Sequence, residues 1–284
     1  ELIRGASVVI DNYKRGTLER HGIDPNRFVG DDPALIWCTL TGFGKDSDRP
    51  GYDHVVQAES GWMSITGEVA GDPMKVGVAL ADVIAGKDVT IAVLGALASR
   101  APLSAEQRRL FISLSHSATA ALVNVAQNAL VSGKDAARWG NGHPNLVPYQ
   151  LFHAADRPIV MAVGNDGQWR ACCRALELQD LEVDERVATN AGRLAHRVEV
   201  IGAIAARICT REAAVWLAQL GRAGVPCGIV RTVREALRDV PASAETGVAP
   251  SIPGTVRLPP PRLDEHGVLI RSHGWNAFEE LSKA

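Results

Sequence analysis

The sequence predicts an α/β fold, a large domain built on a parallel sheet together with a smaller α+β domain. Three observations carry this expectation. Two short β-branched runs near the start, Ala6 to Ile10 and Ala34 to Leu40, flank a helix-like segment and end in polar or glycine-rich residues. A long apolar helical pattern runs from Asp82 to Ser99. A composition break at Gly140-Asn141-Gly142-His143-Pro144-Asn145 then separates these elements from a second series.

Taken in order, the first run ends at Asp11-Asn12, and Gly16 to Gly22 reads as a short helix closed by a glycine. The second run ends at Thr41-Gly42-Phe43-Gly44. Strand, helix, strand with polar strand ends is the pattern of a parallel sheet whose ligands bind at the carboxyl edge, where Asn12 and Thr41 would sit. Asp82 to Ser99 and Ser113 to Val131 are expected as two helices packed on each other. Beyond the break, Ile159 to Val163 reads as a strand, and Asp166 to Leu176, Arg193 to Arg207 and Thr210 to Ala223 read as helices. Gly228 to Arg231 is a further short strand, and proline-rich Pro250 to Pro261 should be extended. The domains are placed at 1–140 with 236–284, and 141–235.

Bulk composition excludes several function classes. The 284 residues are 46% hydrophobic and 22% charged, enough apolar material for proper cores. Thirty basic against thirty-two acidic residues give a charge of −2, so no basic field is available to hold nucleic acid or an anionic membrane. The longest apolar stretch, Val89 to Ala98, is far short of the roughly 18 residues that cross a bilayer. Five cysteines without a CxxC pair fit reduced thiols in a cytoplasmic compartment and argue against a metal or disulfide framework. The chain opens on Glu1-Leu2-Ile3-Arg4, without methionine and inside an element, so a preceding segment is expected.

Common catalytic signatures are absent: there is no GxSxG, no HExxH and no GxGxxG after a strand. Gly86-Lys87 fails as a phosphate loop because Ala81 replaces the upstream glycine and Asp88 the following Ser or Thr. What remains is Asp82, set among small residues at the mouth of a helix. Asp is a preferred N-cap, and simple capping would explain it. A helix N-terminus also keeps a partly buried carboxylate ionised, and flanking Ala and Gly leave room for a carbonyl to reach it, which suits a nucleophile.

Longer strings decide between these. Asp11-Asn12-Tyr13-Lys14-Arg15-Gly16-Thr17-Leu18-Glu19-Arg20-His21-Gly22 resembles a segment of the class III coenzyme A transferases, the formyl-CoA and carnitine-CoA type. Gly42-Phe43-Gly44, Arg49-Pro50-Gly51-Tyr52-Asp53, Gln57-Ala58, Thr66-Gly67 and Pro73-Met74-Lys75-Val76-Gly77 follow that family's pattern in order, as do Gly140 to Asn145, Ala188-Thr189-Asn190 and Gly224-Val225-Pro226-Cys227-Gly228.

The resemblance implies a Rossmann-like large domain, an interlocked homodimer, and transfer of coenzyme A from an acyl-CoA to a carboxylic acid, without a metal. It places Asp82 on the family's catalytic aspartate, attacking the acyl carbonyl to form a mixed anhydride and then an aspartyl-CoA thioester. Asp53 falls near the nucleophile, with Gln57 one helical turn on to orient a carboxyl group. Asn12, Tyr13, Lys14, Arg20 and Tyr52 match coenzyme A-binding positions, and Gly140, Asn141, Gly142 and His143 match a glycine loop over the site. Read alone, Lys14 and Arg15 are more often solvated surface, while Asp53 and Gln57 read equally as ordinary helix-start polar residues and Gly140 to His143 as an interdomain linker. The family also holds α-methylacyl-CoA racemases with "GHD" where this chain has Gly51-Tyr52-Asp53, and tyrosine, pKa near 10, is a poor proton shuttle. An isomerase and a noncatalytic truncated relative therefore stand as alternatives. Departures from the pattern are Gln107 to Ser113, His116, and Leu263-Asp264-Glu265-His266-Gly267.

Overall fold

The computed structural model describes residues 1–248, 252 and 258–281. The chain divides into two compact units, one of Glu1–Arg138 with the C-terminal stretch from Pro261, the other of Trp139–Pro260. Residues 236–248, grouped by sequence with the large domain, lie in the second unit. Of the extended run expected from Pro250, positions 250, 251 and 253–257 lie outside the described residues.

The first unit is built on a three-stranded parallel sheet in the order β1 (Val8–Asp11), β2 (Ile36–Thr41), β3 (Arg109–Ser113). The central strand, Ile36-Trp37-Cys38-Thr39, is buried on both faces, which explains its unbroken apolar run. Alternation sends Trp37 to one face and Cys38 to the other. Between β1 and β2 the chain forms α1 (Thr17–Arg20) and α2 (Pro25–Asp31); Asp24 accepts the amides of Asn26 and Arg27, and Pro25 opens the first turn. This segment covers Trp37 with Leu18, Ile23, Phe28 and Val29.

After β2 come α3 (Asp53–Glu59), α4 (Trp62–Ile65) and the 18-residue α5 (Leu80–Leu97). Ala81, Ala85, Val89 and Val93, spaced by four, form the buried stripe of α5. Val89 and Val93 pack on Cys38, Leu110 and Ile112 of the sheet, while Ala81 and Ala85 pack against Leu114 and Ala118. The short α6 (Ala105–Arg108) leads into β3, a strand that the sequence pattern conceals. The single helix expected over 113–131 is instead β3's last residue and two helices, α7 (Leu114–Ala120) and α8 (Asn124–Ser132). Ser113 starts α7 by accepting the His116 amide, and the break follows from Val123, whose φ of 45° lies outside the helical region.

In the second unit β4 (Tyr149–His153), β5 (Pro158–Ala162) and β6 (Cys227–Ile229) form an antiparallel sheet. Helices α9 (Asp166–Ala175), α10 (Gln179–Val183), α11 (Asn190–Ala195), α12 (Arg197–Ile208) and α13 (Ala213–Arg222) accompany it, around a core that includes Trp169, Ile204 and Trp216. The C-terminal helices Gly267–His273 and Ala277–Leu281 belong to the first unit, where the Trp275 indole donates to the Leu2 carbonyl at 3.0 Å. Among the described residues no helix is long and apolar enough to cross a membrane.

Candidate active site

Because the strands are parallel, their carboxyl ends lie at one edge, and there the first unit opens into a cavity of about 830 Å³. It is lined by the turn of residues 11–16, the end of β2, the loop of residues 45–52, and Asp82, Arg109, Phe111 and Leu114. Its floor is tied together by Asp11, only 8% exposed. One Asp11 oxygen accepts the Trp37 indole N–H at 2.7 Å and the Thr39 hydroxyl at 2.6 Å; the other accepts the Tyr13 amide at 3.2 Å. That anchor turns Asn12, Tyr13 and Lys14 into the wall, all exposed. Arg20 is not among the lining residues; its guanidinium donates to Thr17 within α1.

The opposite wall depends on a backbone crossing. Gly42 and Gly51 touch so closely that a Cβ on either would fall inside van der Waals contact of the other's Cα. Two glycines are therefore required where the loop passes the end of β2. Arg49, just before the crossing, pairs with Glu59 and lies 3.9 Å over the Phe43 ring. The crossing delivers Tyr52 to the cavity as the residue preceding α3, with its side chain exposed, while His54 is exposed on α3 outside the lining.

Asp82 occupies the first turn of α5, two residues inside the helix, where Ala79 holds the cap position without a side-chain bond. It therefore does not act as the cap. Among the described residues its carboxylate has no hydrogen-bond or ion-pair partner, and it faces the cavity. Partial desolvation, and secondarily the nearby negative charge of Asp53, push its pKa above the ordinary aspartate range.

Asp53 and Gln57 meet on α3 as expected, but their polar atoms turn toward the segment leading to Asp82. Gln57 is fully buried; its amide nitrogen donates to Asp53 at 2.6 Å and to the Val78 carbonyl at 3.3 Å, and its oxygen accepts the Val76 amide at 2.8 Å. The second Asp53 oxygen accepts the Ala81 amide at 2.9 Å.

Arg109 is a lining residue that the sequence pattern did not single out. On β3, Leu110 and Ile112 face the core, which leaves Arg109 and Phe111 to the other face. The guanidinium lies 4.3 Å over Phe111 and has no carboxylate partner among the described residues; Nε is buried without any partner, and burial lowers its pKa. The alternation of Arg109-Leu110-Phe111-Ile112 was the available signal. Gly140, Asn141, Gly142 and His143 lie in the second unit, where Arg197 donates to the His143 and Pro144 carbonyls and the His143 ring lies 5.0 Å from Tyr149.

The chain resembles a succinate–glutarate CoA-transferase of Agrobacterium fabrum, 38% identical over 93% of this chain and 72% of that protein. A succinyl-CoA:glutarate CoA-transferase of Mus musculus is 34% identical over 83% of this chain and spans further, the match covering 54% of its length. Among solved structures, a CAIB/BAIF family protein from Brucella suis superposes with a TM-score of 0.80 at 34% identity, over 95% of this chain and 76% of that one. The family model for CoA-transferase family III matches residues 1–272, so the chain belongs to CoA-transferase family III.

Proposed function

We propose that this chain carries the catalytic part of an acyl-CoA:carboxylate CoA-transferase with Asp82 as its covalent nucleophile. The observation that carries the reading is a carboxylate at the cavity with no hydrogen-bond or ion-pair partner among the described residues, in a site whose lining includes Lys14, Arg15, Lys45 and Arg109 alongside acidic residues such as Asp46 and Asp48. An oxygen engaged in capping or in an ion pair has its lone pairs occupied; Asp82 keeps them free.

In the proposed sequence, Asp82 attacks the donor acyl-CoA carbonyl, forming the aspartyl-acyl anhydride and releasing CoA thiolate. The thiolate attacks the aspartyl carbonyl, giving the aspartyl-CoA thioester and the free donor acid. The acceptor carboxylate then attacks the thioester, and thiolate returns to the acceptor acyl group, regenerating Asp82. Each step exchanges one acyl bond for another, so no oxidant, reductant or metal enters the balance. Asn12, Tyr13, Lys14 and Tyr52, joined by Arg109, are proposed to hold the anionic coenzyme. Arg20 and the loop Gly140 to His143 enter from the resemblance. The relatives named for succinate and glutarate make a short dicarboxylate the proposed acceptor.

Nothing observed favours an isomerase, since Tyr52 rather than histidine reaches the cavity and His54 does not line it. A homodimer is proposed on the same resemblance; Ile91, Leu94 and Leu97 on α5, 68%, 57% and 51% exposed, are apolar surface of the kind an interface covers. A cytoplasmic setting is proposed from five cysteines, all free.

The test is intact-protein mass spectrometry after mixing with succinyl-CoA, with hydroxylamine to trap the activated carboxyl. A mass increment mapping to Asp82, absent in Asp82→Asn, is expected; transfer that survives in Asp82→Ala would sink the mechanism.

A further inference from the structure

Resting on Asp82 as nucleophile, we propose that Asp53 and Gln57 are positioning residues: together they satisfy the first turn of α5 from outside, at the Ala81 amide, and so leave the Asp82 carboxylate free. The first-turn amides of a helix need acceptors, and an aspartate near a helix start ordinarily supplies one. In α5 the cap position is Ala79, which has no polar side chain to offer. The Ala81 amide is satisfied instead by Asp53 of α3, at 2.9 Å.

Gln57 fixes the direction of this device. Asp53 can only accept, so the buried Gln57 amide must present nitrogen to it and oxygen to the Val76 amide, which leaves its second N–H for the Val78 carbonyl. The segment 76–81 is thereby held at three points, Val76, Val78 and Ala81, immediately before Asp82. One carboxylate performs the structural task, and the other keeps free lone pairs. The fixed charge of Asp53 also makes Asp82 a more basic oxygen.

The donor order makes the idea testable by reversal. Asp53→Asn sets an NH₂ group against the Gln57 NH₂ group. Adding Gln57→Glu reverses the pair. The amide introduced at position 53 then donates to the carboxylate introduced at position 57, which still accepts the Val76 amide, and the oxygen of the new amide still accepts the Ala81 amide; only the Val78 carbonyl loses its donor, so recovery is judged at Val76 and Ala81. Two readouts are made on the full chain, hydrogen exchange at the Val76 and Ala81 amides and kcat against KM for transfer from succinyl-CoA. Asp53→Asn and Gln57→Met should each speed exchange at these amides about tenfold, the weight of roughly one lost hydrogen bond. Both should lower kcat with KM nearly unchanged, and the double variant should recover protection and rate together. Unchanged exchange in both single variants overturns the proposal. So does a double variant whose amides are protected again while kcat stays at the Asp53→Asn level, because Asp53 would then act on substrate directly. A wild-type chain that protects both amides yet transfers no coenzyme A sinks the transferase reading while leaving the external cap standing.

Discussion

Replacing Asp11 tests whether the sheet and the site are one construction. Its carboxylate receives the indole N–H of Trp37, a residue 1% exposed, and the Thr39 hydroxyl. Asp11→Ala removes the one oxygen that accepts both. The hydroxyl can rotate toward another partner at a cost of up to about 1 kcal/mol, but the buried indole N–H is left orphaned, at about 1–3 kcal/mol. A total near 3 kcal/mol is expected for the first unit, lowering its Tm by about 6–12 °C. Asp11→Asn can keep the oxygen that faces Trp37 and Thr39, losing the charge and setting its NH₂ group against the Tyr13 amide, and should cost about half as much. The decisive measurement is a double-mutant cycle by urea unfolding with Trp37→Phe, which removes the indole donor. If the indole bond carries the effect, Asp11→Ala should cost about 1–2 kcal/mol less in the Trp37→Phe background. Strict additivity would refute the reasoning. Since Asp11 also receives the Tyr13 amide, KM for acyl-CoA should rise in Asp11→Ala.

The remaining expectations are readable in single variants. Asp82 must be ionised to attack, and its pKa is raised, so activity should be present above that pKa and fall away on acidification at a higher pH than an ordinary aspartate would give. Asp53→Asn removes the second of the two causes, so the acid limb of kcat/KM should move to lower pH, whatever happens to its height. Gly51→Ala places a Cβ against the Gly42 backbone and should destabilise the first unit by about 1–3 kcal/mol or more, measured by urea midpoint at constant m. Arg109→Gln removes from the cavity wall a guanidinium that has no ion-pair partner among the described residues, and should raise KM for acyl-CoA about tenfold with kcat little changed.

Much of this molecule was legible from local chemistry. The β-branched runs ending in polar residues marked β1 and β2, because a buried parallel strand needs apolar residues on both faces and its ligand edge needs groups that water or substrate can satisfy. The apolar pattern over Asp82 to Ser99 marked α5, which runs from Leu80 to Leu97, and small neighbours marked Asp82 as accessible. The helix expected over 113–131 could not be divided from periodicity, since its alanine-rich pattern suits a helix throughout and the break is a backbone conformation at Val123. β3 was concealed because Arg109 looks like surface until Phe111 is there to carry its guanidinium.

By itself, the sequence determined the fold class, the family, and which carboxylate stands at the mouth of the long helix, since these depend on patterns within one segment or on ordered motifs. Tertiary structure decided what each polar group does. The Ala81 amide beside Asp82 is accepted by Asp53, 28 residues earlier in the chain, and whether Arg109 finds a counter-ion turns on which strands and loops surround it. Such partners are far away in the chain, and their directions are set only once it has folded. Hydrogen bonds are short and directional, whereas hydrophobic patterning is neither, so composition and periodicity can announce an apolar stripe and cannot announce a partner.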